Sequence, residues 1–305
     1  MLSNERPEAV VIVNPTAGRL SQSVRGDVIA ELRRCFSVRA RFTSGRGTAT
    51  EIAAQAAADG VPLAIAFGGD GHVNEVANGV AGTSTALAVI PGGTMNVFAR
   101  ALGVPVDSVA AVRHVREAME HPRRRVPLGK MDDRLFTFSA GCGFDAEAAE
   151  RVERYVPSKR RFGELFFYWS AFRVVAGSVG YRRPYMRISG DFGEVEAASV
   201  IVTNAAPYAY LFGRPVNVTP GVQLEGGIDV FALRSIRIEA LPVYVWKVAV
   251  TGHFGGHGDA FCAHDLDRVE LAADRPFGRH VDGESVARAS SATFSVVRDA
   301  LAVVG

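Results

Sequence analysis

The stretch "IAFGGDGHVNEVANG" (Ile65–Gly79) combines a short apolar run, a glycine-rich turn and then apolar residues at helical spacing. This order is typical of a buried β-strand that leads into a helix of a parallel sheet. Three glycines, Gly68, Gly69 and Gly71, surround the acidic Asp70. They either make a tight turn or let a ligand approach the backbone closely. The neighbouring sequence is needed to decide between the two.

Strands and helices alternate throughout the first third of the chain. We predict strands at Val10–Val13, Phe36–Phe42, Leu63–Phe67 and Ala86–Ile90. We predict helices at Ser21–Arg34, Thr48–Ala58, Val73–Val80, Val97–Leu102 and Asp107–Glu120. This alternation predicts an α/β domain whose parallel sheet is covered on both faces. Such sheets bind ligands beyond the carboxyl ends of their strands.

The pattern changes near His121–Asp133. Downstream we predict strands at Arg134–Ser139, Pro184–Ser189, Ala198–Asn204, Gly227–Leu233, Asp267–Leu271 and Ala292–Arg298. Helices are predicted only at Asp145–Ala176 and Glu239–Val250. Many strands with few helices predict a mainly antiparallel, β-sandwich-like second domain. The predicted domains are residues 1–128 and 129–294, with a tail of about 295–305 that can return to the first.

Composition limits the classes of protein to consider. The chain has 305 residues, 48% of them hydrophobic, and a formal net charge of +2, which is too small to indicate a nucleic-acid partner. Its three cysteines lie far apart, so we expect neither disulfides nor structural zinc, and a reducing compartment fits. We find neither a signal peptide in "MLSNERPEAV" nor an apolar run long enough to span a membrane.

Three glycine-containing loops each follow a predicted strand. They are "NPTAG" (Asn14–Gly18), "GGDGHVNE" (Gly68–Glu75) and "PGGTMNVFAR" (Pro91–Arg100). Glycines open the backbone N–H groups to an anion, and a following helix adds its positive dipole end. Thr94 and Asn96 add polar side chains. Any one of these loops is explained by a tight turn alone, but three at one sheet edge favour a phosphate site.

Together these motifs resemble the diacylglycerol kinase catalytic domain superfamily, which includes bacterial diacylglycerol kinases, sphingosine kinases and ceramide kinases. The resemblance is closest to the bacterial lipid kinases, and it continues in "GCGFDAE" (Gly141–Glu147), "VPSKRRFGELFFYW" (Val156–Trp169) and "VDGE" (Val281–Glu284). It implies a nucleotide-binding domain like that of NAD kinases and phosphofructokinases, followed by a lipid-substrate domain. The activity implied is ATP-dependent phosphorylation of a lipid hydroxyl, above all diacylglycerol to phosphatidic acid.

The resemblance also implies which residues bind ATP. They are Asn14, Pro15, Thr16, Ala17 and Gly18 in the first loop, Thr43 after the second strand, Gly68, Gly69, Asp70, Gly71, His72, Val73 and Asn74 in the second loop, and Thr94 and Asn96 in the third. Asp70 then orders its loop or organises magnesium. His72 stands where the family usually has threonine, and a neutral imidazole can still donate a hydrogen bond to the nucleotide.

A pair of carboxylates follows near the C-terminus. Phosphoryl transfer to an alcohol often uses a carboxylate as proton acceptor, and Asp282 and Glu284 flank Gly283. In an extended segment both side chains lie on the same side. The resemblance implies that this segment faces the ATP cleft; we favour Glu284 as the acceptor, with Asp282 as the direct base or its partner. An ordinary DG turn is the alternative.

Two further acidic positions follow from the resemblance. The family has a second, structural magnesium site, but its usual aspartate falls on Gly226 here. Carbonyls of Gln223 and Ile228 and the side chain of Glu225 are the remaining candidate ligands, and loss of this metal is equally plausible. Asp145 resembles a residue on the lipid-facing side that binds the polar head of the acceptor; a helix N-terminal aspartate is the alternative.

Aromatic and basic residues crowd the segment 159–183, which favours contact with a membrane interface or, alternatively, a core helix. We therefore expect ATP and Mg²⁺ as cofactors, a lipid at a membrane surface as partner, no nucleic acid, and a cytoplasmic protein that can bind the inner face of the membrane. A homodimer is left open, and the sequence does not identify the lipid. Two alternatives stand: an NAD kinase or other small-molecule kinase that uses the same GGDG loop, and a non-catalytic nucleotide-binding regulator.

Overall fold

The computed structural model describes residues 6–17, 21–147, 150, 183–211, 214–219, 221–236 and 258–305. The chain divides into two compact units. Unit 1 comprises Met1–Val126 and Arg298–Gly305, and unit 2 comprises Pro127–Val297. The sequence prediction placed the corresponding boundaries at residues 128 and 294.

Unit 1 alternates strands and helices along the chain. Its elements are β1 (Glu8–Val13), α1 (Gln22–Cys35), β2 (Ser37–Phe42), α2 (Thr48–Ala58), β3 (Leu63–Gly68), α3 (Asp70–Val80), β4 (Ala86–Pro91), α4 (Val97–Ala101) and α5 (Ser108–Ala118). β1, β3 and β4 are apolar along almost their whole length and are buried on both faces, as in parallel sheets covered by helices.

The strands of unit 1 are parallel, in the order β4–β3–β1–β2. The last residues of the chain extend this sheet beyond β4, because Val303 and Val304 pair in parallel with Leu87 and Ala88. Since β1, β3 and β4 run in the same direction, the loops after them leave from the same edge of the sheet. This edge carries the three predicted phosphate loops.

In the part of unit 2 that the structure describes, the complete regular elements are strands. They are β5 (Arg124–Met131), β6 (Arg134–Phe136), β7 (Ser139–Gly143), β8 (Met186–Gly190), β9 (Gly193–Ala197), β10 (Ser199–Thr203), β11 (Ala209–Leu211), β12 (Arg214–Val216), β13 (Ile228–Leu233), β14 (Ala260–Leu266), β15 (Arg268–Val281) and β16 (Glu284–Val304). β5 begins and β16 ends in unit 1.

The central strands of unit 2 pair antiparallel in the order β14–β13–β10–β7–β15–β16. One apolar cluster of this unit contains Phe136, Val200, Val230 and Phe294, and a second contains Ile201 and Phe231. Neighbouring residues of one strand, such as Val200 and Ile201, thus enter different clusters, because successive side chains point to opposite faces. The predicted fold class, an α/β domain followed by an antiparallel β-rich domain, is confirmed.

Several predicted element limits were wrong. α3 begins at Asp70 rather than Val73, since an acidic residue in the first turn stabilises a helix N-terminus and offsets the poor propensity of Gly71. β15 and β16 are far longer than predicted, because their exposed positions carry charged, small or polar residues, which hide the strand pattern. β5, β7, β9 and β14 were not predicted as separate strands.

Part of the prediction concerns residues outside the described ranges. The helix predicted at Asp145–Ala176 is described only at its start, and the helix at Glu239–Val250 is not described. The aromatic and basic segment 159–183 is likewise outside, except for Arg183. Within the ranges that are described, each helix is too short or too polar to cross a bilayer.

Candidate functional site

The three loops at the edge of the unit 1 sheet are joined by backbone hydrogen bonds. The amide of Asn14, which begins the first loop, donates to the carbonyl of Phe67 at the end of β3 (3.0 Å). The amide of Gly92 in the third loop donates to the carbonyl of Gly68 (2.8 Å). The structure therefore brings the second loop beside both of the others.

The second and third loops touch at two glycines. A Cβ on Gly93 would lie 2.6 Å from the Cα of Gly69, and a Cβ on Gly69 would lie 3.2 Å from the Cα of Gly93. Only residues without side chains allow such an approach. Part of the glycine content of these loops thus serves contact between two backbones rather than contact with a ligand.

Polar side chains fix the same two loops. The carboxylate of Asp70 accepts from the amide of Phe98 in the first turn of α4 (3.4 Å), so this residue links the second loop to the third. Asn96 closes its own loop: its side-chain oxygen accepts from the amide of Gly93, and its side-chain nitrogen donates to the carbonyl of Gly93 (2.9 Å each). Asn96 is therefore committed within the protein, whereas Thr94 is exposed.

The first loop is ordered by its own asparagine. The side-chain oxygen of Asn14 accepts from both the amide and the hydroxyl of Thr16 (2.9 Å each), a local turn that leaves Pro15 and Thr16 exposed. Thr43 joins this loop through its amide, which donates to the carbonyl of Val13 (3.0 Å). Gly18 lies outside the described residues.

Three predicted nucleotide contacts, His72, Val73 and Asn74, are buried in α3. The Nε2 atom of His72 lies 2.8 Å from the carbonyl oxygen of Ile12, to which it donates, so the imidazole ties α3 to β1. A Cβ on Gly68 would lie 2.7 Å from the ring of His72, which explains glycine at that position. Nucleotide binding by these three side chains stays a prediction, and their burial does not favour it.

The acidic pair does not lie in an extended segment, so this part of the prediction was wrong. Val281 pairs with Glu284, and the two residues between them, Asp282 and Gly283, form a hairpin turn with positive φ of 48° and 80°. Positive φ at both positions is the geometry of a type I′ turn, for which Asp-Gly is a preferred sequence. The alternation of an extended chain, on which the common direction of the two side chains depended, is therefore interrupted.

The carboxylate of Asp282 is buried, with 5% of the residue exposed, and accepts four hydrogen bonds. The donors are the amides of Thr137 (2.7 Å), Phe138 (3.0 Å) and Ser139 (3.0 Å) and the hydroxyl of Thr137 (2.8 Å). Burial raises the pKa of Asp282, and these hydrogen bonds oppose that effect.

Glu284 has a different environment from Asp282. It is partly exposed and forms an ion pair of 2.7 Å with Arg134 of β6. The two carboxylates of the turn are therefore distinct in kind: that of Asp282 is enclosed by backbone amides, and that of Glu284 is within reach of solvent.

Asp145 is also bound by two side chains of unit 2. Its Oδ1 accepts from the hydroxyl of Tyr208 (2.6 Å), and its Oδ2 is hydrogen-bonded to Nε2 of His280. The opposite ring nitrogen of His280 accepts from the amide of Gly283 (3.3 Å). Asp145, predicted to bind the lipid head, therefore belongs to the same hydrogen-bonded cluster as Gly283. We call residues 282–284, which contain Gly283 and the two carboxylates, the acidic turn.

The loop proposed for a second magnesium ion does not fit a metal site well. The carbonyl of Gln223 accepts from the amide of Gly226 (3.0 Å), and the amide of Gly227 donates to Asp265 (2.7 Å). Ile228 pairs with Leu266 in the sheet. Within the described ranges, no group of three or more His, Cys, Asp or Glu side chains could hold a metal ion.

Some residues with a clear role were not identified from the sequence. Glu75 of α3 accepts from the amides of Gly47 (2.9 Å) and Ala49 (3.1 Å), and so caps α2, whose N-cap Gly47 has no side chain. His280, Tyr208 and Arg134 were also missed. Only Glu75 lies in a recognised motif; the others act on residues more than 60 positions away in the chain.

Family models match both parts of the chain. The diacylglycerol kinase catalytic domain matches residues 8–131, and the YegS C-terminal NAD kinase beta sandwich-like domain matches residues 139–305. A diacylglycerol kinase of Bacillus subtilis is 34% identical over 90% of this chain and 89% of its own length. A diacylglycerol kinase of Staphylococcus saprophyticus is 35% identical over 56% of this chain. This match spans only 55% of the length of the staphylococcal protein.

Solved structures show the same architecture. A candidate diacylglycerol kinase from Bacillus anthracis str. Sterne has a TM-score of 0.76 at 26% identity over 97% of this chain and 96% of its own. An NAD kinase from Archaeoglobus fulgidus, solved in complex with ATP, has a TM-score of 0.54 at 12% identity over 97% of this chain and 93% of its own, which shows likeness of fold alone. With both halves matched and a relative aligned over nearly its full length, the chain belongs to the diacylglycerol kinase family.

Proposed function

We propose that the protein transfers the γ-phosphate of ATP to the hydroxyl of a lipid, with diacylglycerol as the acceptor and phosphatidic acid as the product. The observation that carries this proposal is the family match across both units, together with a relative named diacylglycerol kinase over nearly the full length. The resemblance of the acidic and aromatic segments supports a lipid acceptor presented at a membrane surface.

The loops of unit 1 are the proposed ATP site. Exposed or partly exposed residues of all three loops, including Thr16, Gly69, Gly71 and Thr94, can present amides and hydroxyls to phosphate oxygens. The partly buried Asp70–Phe98 hydrogen bond links the second loop to the third. A pre-ordered set of amides costs little reorganisation when an anion binds. ATP brings the Mg²⁺ that neutralises the charge developing on its phosphates.

The acidic turn of unit 2 is the proposed source of the proton acceptor. Glu284 is the more accessible carboxylate, and Arg134 fixes its direction. Burial raises the pKa of Asp282 and so favours proton uptake by this residue. The acceptor is therefore one of these two side chains, while the other supports the turn.

The test combines a panel of acceptors with two variants. Purified protein is incubated with γ-labelled ATP, Mg²⁺ and mixed micelles that contain diacylglycerol, ceramide or sphingosine, and in parallel with NAD. We expect label in phosphatidic acid. Label in NAD alone would refute a lipid kinase and support the small-molecule alternative; label in no acceptor, with ATP bound, would support a regulator.

Two matched variants then show which of the two carboxylates is the proton acceptor. Asp282→Asn and Glu284→Gln each remove one proton acceptor, and loss of the acceptor lowers kcat by about 100- to 10,000-fold. We expect one variant to reach this range. Unchanged kcat in both would exclude the turn from the chemistry.

A further inference from the structure

We propose that His280 is a positioning residue that holds the carboxylate of Asp145 and the backbone of the acidic turn in one fixed arrangement. This inference rests on the proposed function, in which Asp145 binds the lipid and either Asp282 or Glu284 takes the proton of the lipid hydroxyl. It assigns a role to a histidine outside every motif identified in the sequence.

The hydrogen bonds define which atom of the ring carries the proton. The amide of Gly283 points at Nδ1, which must therefore accept, and this leaves Nε2 as the donor to Asp145. Tyr208 donates to the second oxygen of Asp145 (2.6 Å). A continuous chain of donors and acceptors thus joins Tyr208, Asp145, His280 and Gly283.

The ring of His280 has little freedom to leave this arrangement. Its side chain is 2% exposed, and that of Asp145 is 13% exposed. Directly against both lies Gly141, which faces His280 across the β7–β15 pair. A Cβ at this position would overlap both Nε2 of His280 and Oδ2 of Asp145, so the pair occupies the space that any other residue would need.

A purely structural role is the competing explanation, because buried polar groups must be hydrogen-bonded wherever they occur. Two features favour a positioning role instead. The chain of hydrogen bonds ends on Gly283, between the two candidate proton acceptors. It also passes through Asp145, the predicted binding residue for the acceptor, 135 positions away from His280 in the sequence.

Two substitutions of His280 separate the hydrogen bond to Asp145 from the hydrogen bond to Gly283. His280→Gln places an amide nitrogen near the position of Nε2 and keeps the bond to Asp145, whereas His280→Asn places an oxygen near Nδ1 and keeps the bond to Gly283. We expect His280→Asn to raise KM for the lipid about tenfold, and His280→Gln to lower kcat about tenfold, as for loss of one hydrogen bond to a reacting or binding group. KM for ATP stays close to the wild-type value in both.

The matched control is His264→Gln. His264 is also bonded to an aspartate of unit 2, Asp229 (2.7 Å), and among the described residues no hydrogen bond joins it to Asp282, Gly283 or Glu284. We expect this variant to keep the wild-type kcat and both KM values. Equal loss of kcat and lipid affinity in all three variants, in proportion to lowered melting temperature, would overturn the positioning role.

A spectroscopic measurement tests the arrangement independently of activity. Long-range ¹H–¹⁵N correlation on ¹⁵N-histidine-labelled protein distinguishes the tautomers of the seven histidines, and His280→Gln identifies the resonances of His280. We expect a proton on Nε2 and none on Nδ1, with the Nε2 proton moving upfield in Asp145→Asn. A proton on Nδ1 would refute the inference. If wild-type protein phosphorylates no lipid, the proposed function fails, but this spectrum still decides the arrangement.

Discussion

The carboxylate of Asp282 accepts hydrogen bonds from the backbone amides of Thr137, Phe138 and Ser139 and from the hydroxyl of Thr137. An asparagine side chain has the same shape but brings an NH₂ group to one of the two oxygen positions. At least one amide of residues 137–139 would then face another donor and lose its bond.

We therefore expect Asp282→Asn to lower the free energy of unfolding by about 1–3 kcal/mol, the cost of a buried group without its partner. Urea unfolding near neutral pH measures this change. Glu270→Gln is the control, because its ion pair with Arg268 is exposed and contributes at most about 1 kcal/mol. Equal effects of the two substitutions would contradict a stabilising role for the hydrogen bonds between Asp282 and the amides of residues 137–139.

The error at this turn shows what a local pattern can and cannot predict. Asp-Gly is a strong hairpin signal, yet the alternation of carboxylates around Gly283 was interpreted as an extended segment. The enclosure of Asp282 could not be predicted at all, since its partners lie about 145 positions earlier in the chain. The motif thus indicated two candidate carboxylates, but it did not predict the environment of either.

At the scale of elements, α2 and α3 pack closely through a glycine. A Cβ on Gly79 of α3 would lie 2.6 Å from both the Cβ of Ala53 and the backbone oxygen of Thr50. Glu75 strengthens the same contact by capping α2 with its carboxylate. Helix packing at this distance explains why a poor helix former occupies the last turn of α3.

We expect Gly79→Ala to destabilise the protein by about 1–3 kcal/mol, because overpacking outweighs the gain in helix propensity. Gly26→Ala is the matched control: Gly26 lies in α1, nothing is within 4 Å of the place a Cβ would take, and alanine there should stabilise by about 0.5–1 kcal/mol. Thermal unfolding of the two variants should shift in opposite directions. Stabilisation by both would show that the helices can separate at little cost.

The loop before β13 gives a second prediction for an element. A side chain on Gly226 would begin 3.5 Å from Oδ1 of Asp265, so Gly226→Asp brings two carboxylates together. We expect a lower melting temperature without divalent ions and recovery with Mg²⁺, because a hard cation offsets their repulsion. Gly226→Asn should not respond to Mg²⁺. A large rise in the melting temperature of nucleotide-free wild-type protein on addition of Mg²⁺ would mean that this loop already holds a metal.

Elements differed in how well the sequence predicted them. β1, β3 and β4 were identified because buried parallel strands are continuous apolar runs. The lengths of β15 and β16 were underestimated, since the exposed positions of both strands carry charged, small or polar residues instead of a regular apolar alternation. α3 was started too late because glycine has low helix propensity, although its acidic first turn and the glycine N-cap favour an earlier start.

At the scale of the whole molecule, unit 1 is not continuous in sequence. Five consecutive residues, 300–304, are buried in it, and Val303 and Val304 pair with β4. Without this strand, the edge of β4 that pairs with Val303 and Val304 has unpaired backbone N–H and C=O groups, which other chains can bind.

We therefore expect residues 1–126 alone to aggregate or remain poorly folded. The same fragment with residues 298–305 joined by a flexible linker should give a dispersed ¹H–¹⁵N spectrum and cooperative unfolding. In a control, Leu301→Asp and Val303→Asp in the joined segment should abolish this rescue. A well-folded 1–126 fragment would show that the returning strand is dispensable.

The order of elements and the positions of the three glycine-containing loops could be predicted because both depend on contacts between residues close in sequence. The sequence did not predict the link between Asp145 and His280, nor that between Glu75 and the N-terminus of α2, because these depend on which distant elements become neighbours. Candidate residues in short motifs can therefore be selected from the sequence, whereas the distant partners that surround them cannot.

The returning strand also has a consequence for synthesis in the cell. A ribosome releases the N-terminal strands long before residues 298–305 leave its exit tunnel, so a nascent chain carries an open β4 edge until these residues emerge. Pairings between residues so distant in sequence form slowly. The newly made chain thus passes through a period in which other chains, or a chaperone, can occupy the place of Val303 and Val304 beside β4.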